Sequence, residues 1–173
     1  MALTRLKRSR ASFIACFMTG VAVASGSEKA ITVCELMGKL ELGTKMMVRV
    51  RGSFEATSES IALIDSTCSK PFVTDSYRWP SGIALKSADS IKEEKVPYKT
   101  RDSFVKAVQR SELAGKRMRR LMATVSGIVI TREKYDVVRH KGRPIGGNGY
   151  GHLSYFPAQL IVHEVSDIEE LDW

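Results

Sequence analysis

The run Met47-Val48-Arg49-Val50-Arg51-Gly52-Ser53-Phe54 constrains this chain more than any other. Valine and arginine alternate along it, and a period of two sets the valines on one face of an extended strand and the arginines on the other. Wound into a helix, the same residues would scatter the valines around the axis. The chain therefore has to build a sheet that buries one face of this segment and leaves Arg49 and Arg51 to solvent or a ligand.

Four more segments have strand character: Ser60-Ile61-Ala62-Leu63-Ile64-Asp65, Gly82-Ile83-Ala84-Leu85-Lys86, residues 118–131 with Gly127 as a bulge or bend, and residues 158–165. One substantial helix is expected after the third of them. Its N-cap falls within Thr100-Arg101-Asp102-Ser103, Phe104, Val105, Val108 and Leu113 face inward, and Gly115 is its stop. A shorter helix precedes the first strand, capped by Thr32, with Val33, Leu36, Met37 and Leu40 at helical spacing and Gly43 ending the segment. Residues 87–99, charged, and residues 139–151, basic and then glycine-rich, read as loops. Three strands, a helix and two strands predict a mainly β chain with two helices (α+β): an OB-like five-stranded barrel with an extra N-terminal helix. Gly52 and Gly127 each close an alternating run, where a glycine lets a long strand coil around a small barrel. A small α+β sandwich of different topology is the alternative.

The N-terminus reads as a signal peptide. Arg5, Lys7, Arg8 and Arg10 stand without an acid before an apolar stretch over residues 11–24 that closes on Ala22-Val23-Ala24, with polar Ser25-Gly26-Ser27-Glu28 next. Residues 1–24 are expected to be removed, with a cut near Gly26 as a neighbour, leaving residues 25–173 as a single OB-like domain. The apolar stretch is short of the roughly 20 residues a spanning helix needs, so an uncleaved membrane anchor is the lesser reading. Cys16 as a lipid-bearing cysteine is weaker still, because too little apolar sequence separates it from Arg10. The expected location is periplasmic or secreted, with no membrane span after cleavage. The leader also accounts for half of the apparent basicity: the chain has 27 basic and 19 acidic residues, a net +8, and 149 residues with a net +4 remain without it.

Two cysteines then remain, Cys34 and Cys68, an even number for an oxidising destination, and they are predicted to form a disulfide. Neither has a second Cys or His at zinc-site spacing, and neither belongs to a Cys-x-x-Cys pair.

Val33-Cys34-Glu35-Leu36 behind a leader, Val48-Arg49-Val50-Arg51-Gly52, Leu63-Ile64-Asp65 running to Cys68, and Gly151-His152-Leu153 followed by Tyr155-Phe156-Pro157-Ala158-Gln159-Leu160 together resemble small exported bacterial proteins of unassigned function. The resemblance covers most of the chain after the leader. It implies the paired cysteines and the barrel, and it implies no reaction.

Residues for chemistry are sparse. His140, His152 and His163 have no second ligand at helical or hairpin spacing, no serine sits in a nucleophile elbow, and Gly146-Gly147-Asn148-Gly149-Tyr150-Gly151 neither follows a clear strand nor opens a helix as a phosphate loop would. No catalytic residue, metal or cofactor is assigned. Two surfaces remain as candidate ligand sites. One is the glycine loop with Tyr150, His152 and Tyr155, where a small backbone permits close approach; the bland reading makes it turn geometry and a cover for the barrel end. The other is a basic face of Arg49 and Arg51 with Lys116, Arg117, Arg119 and Arg120, suited to an anionic glycan, a lipid headgroup or an acidic protein, or simply solvated. The expected function is an exported, non-catalytic binding or interaction module for an envelope ligand or protein. An envelope enzyme using His152 with a carboxylate brought close by folding is the alternative. Aromatic residues are too few near the basic strand for a typical single-strand nucleic-acid binder, the least favoured reading.

Overall fold

A computed structural model describes residues 29–88, 98–116 and 119–172. Residues 1–28, which hold the expected leader, residues 89–97 of the charged segment, Arg117, Met118 and Trp173 lie outside the described residues. Among the described residues no helix is long and apolar enough to cross a membrane.

The elements run β1 Ile31–Thr32, α1 Val33–Met37, β2 Lys45–Ala56, β3 Ile61–Ile64, β4 Val73–Thr74, β5 Tyr77–Arg78, β6 Gly82–Ser87, α2 Tyr98–Lys116, β7 Arg119–Thr131, β8 Val137–His140, β9 Arg143–Gly147 and β10 Ala158–Asp172, with a 3-10 turn, His152–Ser154, before the last. The main sheet has the order β1-β2-β3-β6-β10-β7, and β7 pairs again with β2, so five strands close into a barrel. β2, β3, β6, β7 and β10 take the first to fifth places. All their pairings are antiparallel except β6 with β10, the third strand with the fifth, which run parallel. This is the OB-like arrangement, with α2 in the third-to-fourth connection and α1 as the extra N-terminal helix.

The alternation in β2 places its side chains as expected: Val48, Val50 and Phe54 are buried in the core with Leu63, Ile83, Val125, Val129 and Leu160. Gly127 is needed for its size. A Cβ there would stand 2.0 Å from the carbonyl oxygen of Ile161 on the neighbouring strand, beside the irregularity between Val162 and Glu164 where β10 bends. Gly52 makes room differently, since its Cβ would meet Val33 of α1 at 2.6 Å. α1 opens with a reciprocal cap: Thr32 Oγ1 accepts from the Glu35 amide at 3.0 Å and Glu35 Oε2 from the Thr32 amide at 2.7 Å. Those bonds, the Thr32 amide first, hold the Glu35 carboxyl below its usual range. The helix stops at Gly38 rather than Gly43, and Leu40 is buried from the following loop.

Cys34 in α1 and Cys68 after β3 are disulfide-bonded, with their Cα atoms 5.1 Å apart across a sequence separation of 34. The bridge ties α1 to the end of the second barrel strand, as the sequence predicts.

α2 presents part of the expected face, with Phe104 buried and Val108 packed against the core, but the rest of its inward stripe differs. Phe104, Ala107, Ser111 and Ala114 are buried, whereas Val105 and Leu113 are 44% and 51% exposed. Small residues win the inward stripe because they let the helix sit close enough for its hydroxyls to reach the strands. Ser111 accepts from the Ala56 amide at 3.0 Å and donates to the Phe54 carbonyl at 2.9 Å, replacing ladder bonds that β2 lacks where it parts from β7. Ser103 likewise accepts from the Val165 amide at 3.2 Å.

The segment predicted as a basic and glycine-rich loop instead contains the hairpin β8–β9, turned at Lys141 and Gly142, both with positive φ. The last strand also continues seven residues beyond Val165, to Asp172.

Candidate binding site

The connection from β7 to β10 is where this barrel departs from a minimal one. Its hairpin base is closed by Asp136 and Asn148, whose side chains and backbones exchange three bonds of 3.0 to 3.2 Å. Beneath it Trp79 packs edge-on against Tyr77 and Tyr135, at centroid distances of 4.9 and 5.0 Å, and donates from Nε1 to Thr74 at 2.7 Å. A Cβ on Gly147 or Gly149 would come within 2.7 Å of that indole. Part of the glycine run thus exists to let the loop lie on Trp79. Tyr135 itself donates to the Pro157 carbonyl and accepts from the Arg132 amide, and burial pushes its phenol up to about 12.

Further along, Tyr150 and Phe156 pair as an isolated antiparallel bridge, with backbone bonds of 2.7 and 3.0 Å, and pinch off a compact tip between them. In this tip Gly151, Leu153 and Ser154 have φ of 76°, 51° and 56°. A leucine in the left-handed region is uncommon, and this one is also 84% exposed, with Tyr155 54% exposed beside it. Phe156 turns the other way and is buried on Ala62 and Ala84 of β3 and β6. His152 Nε2 lies 3.3 Å from Glu59 Oε2 in the β2–β3 connection, both side chains well exposed.

These residues enclose a cleft of about 270 Å³ lined by Ser60, Ile64, His152, Leu153, Tyr155 and Phe156. A neighbouring cleft of about 320 Å³ shares Ile64; Thr32, Arg51, Ser53, Asp65 and Arg120 bring polar groups to a lining that is otherwise mostly apolar. The first lies between the first-to-second and fourth-to-fifth connections, which OB barrels use to hold ligands, and the second lies beside β1, across the first and fourth barrel strands and the residues that follow β3.

Of the sequence-proposed site residues, His152 and Tyr155 line the smaller cleft and Arg51 lines the larger one. Tyr150 stands behind the tip, with the Arg132 guanidinium 4.7 Å over its ring and its phenol raised by burial. Arg49 is turned to β10, 3.0 Å from Asp167. Arg51 is paired with Glu169 and also donates to the Asp167 carbonyl at 3.0 Å. A hydrogen bond from Thr124, followed by the one from Arg49, holds the Asp167 carboxyl below its usual range. Sequence reasoning missed Glu59, Leu153 and Ile64. Only the tertiary fold brings Glu59 to His152, whereas an exposed leucine between a histidine and a serine after glycine was a visible sign.

The fold and these clefts define an OB-like barrel with a fourth-to-fifth connection folded over the end of β3 and a disulfide-pinned N-terminal helix. No family model matches the chain, and no curated protein and no solved structure matches it. Of what the sequence motifs imply, the structure therefore carries the five-stranded barrel and the bonded cysteine pair, and it assigns the chain to no group.

Proposed function

We propose that this chain is a non-catalytic binding module working outside the cytoplasm, and that its ligand lies along the end of β3, an apolar group in the cleft under Leu153 and Tyr155 and a neutral polar group beside Arg51. The observation that carries this reading is the pair of clefts meeting at Ile64 at the end of β3. Two exposed apolar side chains held on a pinched, left-handed backbone are pre-shaped for contact, which spares a ligand the cost of ordering them. A protein partner or glycan of the envelope fits this description better than a nucleic acid, since Arg49 and Arg51 already face carboxylates. The disulfide supports an oxidising location.

The disulfide-intact protein, immobilised and exposed to envelope extract, is expected to retain a component that Tyr155→Ala and Leu153→Ser variants release. Equal retention by all three proteins would sink the reading.

One contact favours the enzymatic alternative: the 3.3 Å approach of Glu59 to His152, a carboxylate in reach of an imidazole. Its test is separate. If the site is catalytic, His152→Ala abolishes turnover of a retained ligand without lowering the melting temperature; if the site only binds, no turnover is found to abolish.

A further inference from the structure

The β8–β9 hairpin is firmly built at its base and bare at its tip. The base holds the Asp136–Asn148 clamp, the contact of Gly147 with Trp79, and Arg139, which reaches the Asp75 carboxylate at 2.9 Å and the Asp75 carbonyl at 2.7 Å. Beyond Arg139 come His140, Lys141, Gly142 and Arg143, all exposed, and among the described residues no carboxylate pairs with Lys141 or Arg143. The eleven residues from Val137 to Gly147 contain no acid at all. Beside the cations, Val138 and Ile145 are 55% and 62% exposed, and Val73 on the adjoining β4–β5 hairpin is 55% exposed. Ile145 is the extra residue at the irregularity between Val138 and Arg139, so the bulge sets out an aliphatic group that a regular ladder would not.

From this we infer that the hairpin is a docking device for an anionic phospholipid surface. Lys141 and Arg143 meet the headgroups, and Val138 and Ile145 enter the interfacial region between them. The match is one of charge and of layering: a tip of one sign next to unpartnered aliphatic side chains suits a surface that is anionic outside and apolar just beneath. An acidic protein would supply the charge without the shallow apolar layer, and a nucleic acid would ask for stacking aromatics that this tip lacks. The inference is independent of the clefts. It gives the protein an orientation, held at one barrel end.

The test uses protein recovered from an exporting host, its first residue fixed by intact mass and its disulfide intact. It is mixed with vesicles of phosphatidylcholine alone or with a third of phosphatidylglycerol. Sedimentation with the anionic vesicles is expected, falling steeply with salt, together with little on the neutral ones. The double variant Lys141→Gln, Arg143→Gln is expected to lower the partition coefficient about thirtyfold, about fivefold for each cation removed. Any contribution from leader residues is common to both proteins and cancels in that ratio. Ile145→Trp should gain a blue-shifted emission on the anionic vesicles, a readout that a change of surface charge alone does not produce. Absence of partition at low salt, partition unchanged in the double variant, or capture by an oligonucleotide with no vesicle binding would each overturn the inference.

Discussion

The barrel wall formed by β2, β7 and β10 and the long connection from β7 to β10 use the same residue types to opposite ends. On the wall, Arg49, Arg51 and Arg119 face Asp167, Glu169, Glu170 and Asp172, so the cations answer carboxylates on the last strand. On the connection, Arg139 is consumed at the hairpin base, and Lys141 and Arg143 stand exposed beyond it with no carboxylate partner among the described residues. Glycines divide in the same way: Gly127 is locked between strands, whereas Gly146 has open space where a side chain would go. Charge and glycine content therefore do not mark function by themselves. What marks it is whether the fold has already answered them.

The contrast can be broken experimentally, and the bridge is the strongest lever. Replacing Cys34 and Cys68 together with alanine is expected to lower unfolding free energy by up to about 4 kcal/mol on the loop-entropy model, while Lys141→Gln with Arg143→Gln should leave it within about 0.5 kcal/mol. Urea titration of the two double variants measures both. Next comes Gly127→Ala, whose Cβ has a backbone carbonyl in its way; a loss of about 3 kcal/mol or more is expected, against near-neutrality for Gly146→Ala. Equal tolerance at the two sites would show that the wall can open where the structure holds it closed. Ser111→Ala should cost about 1–3 kcal/mol by stranding the Ala56 amide and the Phe54 carbonyl. Arg51→Met, an exposed pair, is expected to cost under about 1 kcal/mol and to lose its effect in high salt.

Opposite ends of the pH scale should separate the regions as well. Asp167 titrates below its usual range in the fold, so its contribution is complete above the unfolded value and is lost as pH falls through the folded one. Tyr135 is raised instead. Its contribution is complete below pH 10 and is lost as pH climbs from there to about 12. Hydrogen exchange at β10 should therefore quicken first in acid, and exchange around Tyr135 and Pro157 first in alkali.

Much of the barrel was legible in the sequence because β2 alternates cleanly, Thr32 is a recognisable cap, and only two cysteines lie in residues 25–173. On α2, Phe104 and Val108 face inward as expected, but Val105 and Leu113 do not: valine and leucine outrank alanine and serine on any hydropathy scale, while Ser111 holds its inward position through two backbone bonds. The hairpin was hidden by its composition: Gly142, Gly146 and Gly147 with four basic or imidazole side chains give no period of two. The end of β10 was hidden for a similar reason. Its acids look solvated in one dimension and are held by arginines in three. Within the candidate site, His152, Tyr155 and Arg51 could be named from the sequence, but their arrangement around Ile64 depends on two connections folding onto one face.

The barrel also has an order of assembly written into it. Every pairing that completes the ring, β10 with β6 and β10 with β7, waits for the final strand, Ala158–Asp172. Cys34 and Cys68, by contrast, both lie upstream of β6. A chain delivered N-terminus first can thus be oxidised while the ring is still open, and the covalent link then fixes α1 to the β2–β3 pair before the pairings farthest apart in sequence, the slow part of folding any closed β structure, have formed.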